Sequence, residues 1–216
     1  MRTLILAALL SLLLATPSAG AQERLRPLKE KVRSGHTLFN LRGCSNCHSI
    51  QGAGGAKVGP DLARITVWAS PILGAAVMWN HIPLMSKAIK KRGLKWPKFK
   101  GEEIGDIFTY LHSLNQKKGS SYSFLGNASS GEVLFESIGC VNCHGKPFAG
   151  GKYGPDLAKS AKRIKTELAF ATRMIRHAPY MIKKGKKEKI HWPRVTGNQI
   201  ASIFAYLKSL RLANLR

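Results

Sequence analysis

Two five-residue runs, Cys44-Ser45-Asn46-Cys47-His48 and Cys140-Val141-Asn142-Cys143-His144, hold all four cysteines of the 216-residue chain. In each, two thiols share one turn and an imidazole follows directly. The thiols can bond covalently to the two vinyl-derived carbons of a haem while the histidine reaches its iron from the proximal side. Other chemistries fit less well. A redox disulfide of the thioredoxin kind calls for C-x-x-C beside a strand-helix-strand pattern, which this sequence lacks. A zinc ribbon sets its cysteine pairs about 15–20 residues apart, whereas these lie 96 residues apart. Four cysteines are too few for a disulfide scaffold. The expected cofactor is haem c, two per chain, attached at Cys44, Cys47, Cys140 and Cys143, with His48 and His144 as proximal ligands.

The elements around these runs are themselves duplicated at the same offset of 96 residues. Ser34-Gly35 matches Ser130-Gly131, and Leu38-Phe39 matches Leu134-Phe135. Gly59-Pro60-Asp61-Leu62-Ala63 reappears one residue early as Gly154-Pro155-Asp156-Leu157-Ala158. Met78, His81, Pro83 and Met85 return as Met174, His177, Pro179 and Met181, and Trp96-Pro97 as Trp192-Pro193. His36, His112 and His191 have no counterpart histidine and are expected at the surface. Each half reads as helical. A helix ends near Gly43, a second covers about residues 70–82 and stops at Pro83, which cannot continue it. A last helix starts near Gly101 with the apolar stripe Ile104, Ile107, Phe108, Leu111 and Leu114. Its counterpart carries Ile200, Ile203, Phe204, Leu207 and Leu210. Strand signals are weak, and residues 52–59 read as a loop.

On these residues each half resembles a class I cytochrome c domain, and the pair resembles the soluble dihaem cytochromes c of bacteria. The resemblance covers about residues 30–115 and 126–212. It rests on a helix before C-x-x-C-H, a following Gly-Pro-Asp-Leu, and a terminal helix with Tyr110-Leu111 or Tyr206-Leu207. It implies an all-α chain of two tandem domains, residues 22–116 and 128–216, joined by a linker at 117–127. It also implies that Pro60 and Pro155 accept the second N–H of each proximal imidazole, fixing the ring, and that the terminal helix packs across the N-terminal one.

The pattern departs from that family at the distal ligand. A methionine is usual shortly before the final helix, but Trp96-Pro97 and Trp192-Pro193 stand there, and tryptophan does not ligate iron. The candidates present in both halves are Met85/Met181, His81/His177 and Met78/Met174. If the helix ends at Pro83, residues beyond it can approach the haem as a loop, which favours Met85 and Met181. Trp96 and Trp192 are expected against the porphyrin edge, with the indole N–H on a propionate, or in the core.

Export and charge complete the expectation. Arg2, the apolar stretch Leu4–Ala15 and the small residues Ala19-Gly20-Ala21 read as a signal peptide over residues 1–21. The destination would be the periplasm, where nucleic acid is no partner. The formal charge is +24, shared almost equally: 17 basic and 6 acidic residues at 22–120, 17 and 5 at 121–216. Its densest runs, Lys87-Lys90-Lys91-Arg92-Lys95 and Lys183-Lys184-Lys186-Lys187-Lys189, suggest docking to acidic redox proteins, a membrane redox complex or an anionic membrane surface. A six-coordinate haem has no vacant site for a substrate, so the expected role is electron transfer rather than catalysis. The competing roles are a small dihaem oxidoreductase acting on peroxide or a sulfur oxyanion, and a haem subunit of a larger complex.

Overall fold

The computed structural model describes residues 27–56, 58–115 and 124–213. The signal segment and the linker stretch 117–123 lie outside the described residues. Six long helices carry the fold: α1 Leu28–Leu41, α2 Pro71–Lys91, α3 Glu103–Leu114, α4 Ala128–Ser137, α5 Glu167–Lys187 and α6 Gly197–Ala213. No strand occurs among the described residues. The chain is thus all-α, as the repeat and its stripes imply.

Local chemistry sets the helix starts. Ser70 caps α2, its Oγ accepting the Leu73 N–H at 3.3 Å, and Pro71 supplies a preset φ in the first turn. Thr166 caps α5 through Ala169 at 3.1 Å, and Asn127 caps α4 through Ser130 at 2.8 Å.

Each half closes by crossing its first helix with its last, α1 on α3 and α4 on α6. Glycine makes both crossings close. A Cβ on Gly35 would lie 2.0 Å from the Asp106 carbonyl oxygen, and one on Gly131 2.0 Å from that of Ser202. Phe39, Ile104, Ile107, Phe108 and Leu111 fill the first core; Phe135, Ile200, Ile203, Tyr206 and Leu207 fill the second.

The middle helices join the two halves. Pro83 does not end α2; the helix runs on to Lys91, and α5 likewise runs through Pro179 to Lys187. These two helices pack on each other and cross into the opposite half. Ile72 and Ala76 of α2 are buried in the core of the second half, and Ile175 of α5 in that of the first. A third cluster, Ile82, Ala178 and Ile182, seals the seam, with Trp79, Met85, Trp96 and Trp192 against it. The halves are duplicated in sequence but share their hydrophobic interior.

Candidate functional site

A turn of 3-10 helix, Cys44–Asn46, follows α1 and brings the thiols of Cys44 and Cys47 beside His48. In the second half the equivalent turn is Val141–His144. No disulfide joins either pair. Burial pushes the thiols of Cys44 and Cys140 up to about 11, so they stay neutral and do not carry charge into an apolar site. Among the described residues no three His, Cys, Asp or Glu side chains converge as a bare metal ion would require. This donor set suits a group that brings its own equatorial ligands.

The Gly-Pro-Asp segment fixes the proximal imidazole. His48 Nδ1–H donates to the Pro60 carbonyl at 3.0 Å, and His144 Nδ1–H to that of Pro155 at 2.9 Å. With Nδ1 protonated, Nε2 keeps its lone pair for iron. Glycine precedes the proline because the ring lies against it: a Cβ on Gly59 would sit 2.4 Å from His48 Cε1, and one on Gly154 2.7 Å from His144 Cε1. Asp61 then ties the loop down. It accepts from the Gly52, Ala63 and Gln51 N–H groups at 2.6, 2.9 and 3.1 Å, bonds that hold its carboxyl below the usual range. Asp156 caps the short helical turn Leu157–Ser160, accepting from the Ala158 and Lys159 N–H groups. The His144 pKa is lowered, first by burial and then by the nearby His177, against the pull of the Pro155 carbonyl. The imidazole is therefore neutral and able to ligate at neutral pH.

In the first half these residues open onto a cavity of about 490 Å³, within the range of cofactor pockets. Cys44, Cys47, His48, Gly59 and Pro60 form one wall; His81, Leu84, Met85, Ala88 and Ile89 of α2 form the other, at helical spacing. Apolar side chains, Leu41, Val58 and Leu94, complete the rim with Trp96. Paired thiols, a fixed imidazole and a cavity of this size with apolar side chains in its lining fit a haem.

The structure distributes the distal candidates unevenly. Met78 packs with the first core and Met174 with the second, and Met78 does not line the cavity. His81 and Met85 both line it, one helical turn apart. Because α2 continues past Pro83, the loop on which the preference for Met85 and Met181 rested is not there; both methionines sit on helix. Met85 packs against the seam between the halves. His81 is exposed on the cavity side, and its Nδ1 bonds the Val77 carbonyl at 2.7 Å; His177 bonds that of Arg173 at 2.9 Å. Each bond leaves Nε2 as a free acceptor.

The tryptophans take the two places expected of them, Trp96 at the cavity and both against the core at the seam. The Trp192 indole N–H is committed to the Trp79 carbonyl at 3.1 Å, so it does not serve a propionate. Trp96 lines the cavity with a buried N–H that has no partner. Lys87, Lys90, Lys91, Lys183 and Lys187 are exposed along the last turns of α2 and α5. Lys184 is partly withdrawn: its Nζ pairs with Glu188 at 3.0 Å and lies 4.3 Å from the Tyr153 ring centre. Sequence reasoning passed over Asn80, Tyr153 and Glu188, which the repeat could not flag because Arg176, Val58 and Arg92 stand at their counterparts.

The cytochrome c family model matches the chain twice, at residues 32–115 and 128–211. No curated protein and no solved structure matches it.

Proposed function

The chain belongs to the cytochrome c family and carries two covalently bound c-type haems, and from that premise we propose that it is an exported, periplasmic carrier of single electrons between a dehydrogenase or membrane complex and a terminal oxidase or reductase. Haem-based electron transfer is what the family supplies; the group itself stores and releases the electron. The chain's residues hold it rigidly and keep other chemistry away. His48 and His144 are locked by the Pro60 and Pro155 carbonyls. In the first half the cavity also presents His81 and Met85, side chains able to ligate; with one of them engaged, a bound haem would have no open position for peroxide or a sulfur oxyanion.

The observation that carries this reading is that His48 and a second side chain able to ligate line one cavity. We assign the distal position to His81 and His177 in preference to Met85 and Met181. Three features support the choice: exposure of His81 toward the cavity, the carbonyl bond at Nδ1 of both histidines, and the packing of Met85 into the seam. A second imidazole keeps the iron six-coordinate but forgoes the high potential that methionine brings.

The basic turns of α2 and α5 suit an acidic partner surface. Cations at these helix C-termini are also favoured by the helix dipole, so the run alone is not diagnostic of docking. Stopped-flow electron exchange with an acidic redox protein tests the reading. Rates should fall steeply as ionic strength rises; rates flat across that range would remove the docking role. Steady peroxide or thiosulfate turnover by the dihaem protein would contradict the carrier itself.

A further inference from the structure

Proline at position 83 removes the N–H that would bond the carbonyl of residue 79, four residues back. In a buried helix that orphaned oxygen needs a donor. It receives one from the other half of the molecule, 113 residues away: the Trp192 Nε1–H at 3.1 Å. The donor ring is stacked on Trp79, with centroids 4.1 Å apart and planes at 24°. Trp79 in turn donates its own indole N–H to the Pro193 carbonyl at 2.8 Å. The next residue, Asn80, grips the backbone of Val195 from both sides. Its Nδ2 donates to the Val195 carbonyl at 2.7 Å, and its Oδ1 accepts the Val195 N–H at 2.9 Å.

We propose that Trp192 and Asn80 are positioning residues through which the second half holds the distal helix of the first. The four bonds close on residues 79 and 80, immediately before His81. They fix where that imidazole stands relative to His48. The hold runs one way. Pro179 frees the Ile175 carbonyl in α5 just as Pro83 frees that of Trp79, and Trp96 is the counterpart of Trp192. Yet the Trp96 N–H is buried without a partner, and Ile175 and Arg176 replace the indole and the amide of Trp79 and Asn80. Ligation in the first half therefore depends on hydrogen bonds from the second half, whereas α5 meets the first half by packing, through Ile175, and no matching grip on residues 175 and 176 occurs among the described residues.

This rests on the reading of His81 as distal ligand, so the test separates the two. In the dihaem holoprotein, carbon monoxide binds ferrous haem only where the sixth ligand yields. The parent protein should bind none. W192F keeps an aromatic ring but loses the N–H, and N80A loses the clamp. Each should bind carbon monoxide at one haem per chain, while W96F binds none. The double variant W192F/H81A should still bind one, because both changes open the same haem; two would place the effect of Trp192 on the other haem and overturn the proposal. Amide hydrogen exchange reads the hold without reference to ligation. Residues 80–86 should exchange about tenfold faster in W192F, as loss of one hydrogen bond implies, and unchanged in W96F. Unchanged exchange in both W192F and N80A overturns the proposal. Carbon monoxide binding by the parent, with exchange altered as stated, overturns only the ligand reading.

Discussion

The two halves agree wherever the haem is attached and differ wherever one half meets the other or the cavity meets solvent. Cysteines, proximal histidines, the Gly-Pro-Asp turn and the glycine at the helix crossing are all duplicated. Around them, Val58 of the first half is replaced by Tyr153, Ala88 by Lys184 and Arg92 by Glu188. Among the described residues, the first half alone joins its first and last helices by an ion pair, Arg42 Nε donating to Glu103 Oε2 at 3.0 Å with a second contact through Nη2. Among the described residues, the first half alone has its distal helix gripped by side-chain hydrogen bonds from across the seam. The difference teaches that binding a haem is specified by short local motifs, whereas tuning and coupling are built from residues that changed after duplication. Two centres with the same covalent chemistry thereby stand in unequal surroundings.

The largest effects should be equal in the two halves. C44A/C47A and C140A/C143A should each leave one covalent haem per chain, read by the pyridine haemochrome. Retention of two in either variant would break the equivalence of the sites. Next come the crossings. G35A and G131A force a Cβ into a backbone carbonyl, and each should cost roughly 3 kcal/mol in thermal unfolding. A cost confined to one variant would mean that one crossing is looser than the other.

Smaller effects should separate the halves. Burial alone would raise the Glu103 carboxyl, but the hydrogen bond from Arg42, the Lys100 N–H and both neighbouring charges outweigh it and leave its pKa below the ordinary value. A depressed folded-state pKa gives stability that is present above the unfolded value and lost as pH falls through the folded one. R42M should thus cost about 1 kcal/mol near neutrality and flatten the acid limb of the stability profile. The mirrored position, Ile138, carries no such pair, and I138A should leave the shape of that limb unchanged. Smallest of all is K184M. Lys184 lies close enough to act on Cys143, but Glu188 opposes it. Losing the cation should lower one of the two reduction potentials slightly and leave the other where it was; movement of both would deny that the centres are locally tuned.

The attachment chemistry was legible in the sequence because it is local. C-x-x-C-H needs one turn, and the acceptor proline lies only 12 residues on in the first half and 11 in the second. The crossing of first and last helices was legible from their stripes. What sequence reasoning got wrong was the end of the middle helix. Proline is a sound stop signal when its orphaned carbonyl faces solvent, but here Trp192 supplies the missing donor. Both Pro83 and Pro179 precede a tryptophan by 13 residues, but the donor to the Trp79 carbonyl is the tryptophan of the other half, a pairing that spacing within one repeat does not disclose. The sharing of cores had no local signature at all. Ile72 and Ile175 are ordinary apolar residues on helical faces, and nothing in their spacing says which half they fill. Export and residues 117–123 of the linker fall outside the described residues, so the fold adds nothing to them.

On the ligation proposed above, each iron takes a second histidine from the middle helix, His81 in one half and His177 in the other. The near-infrared magnetic circular dichroism spectrum of the ferric dihaem protein reads axial ligation directly. One low-spin bis-imidazole band with the intensity of two haems per chain is expected. A methionine–iron band from either haem would contradict it and return Met85 and Met181 to the distal position.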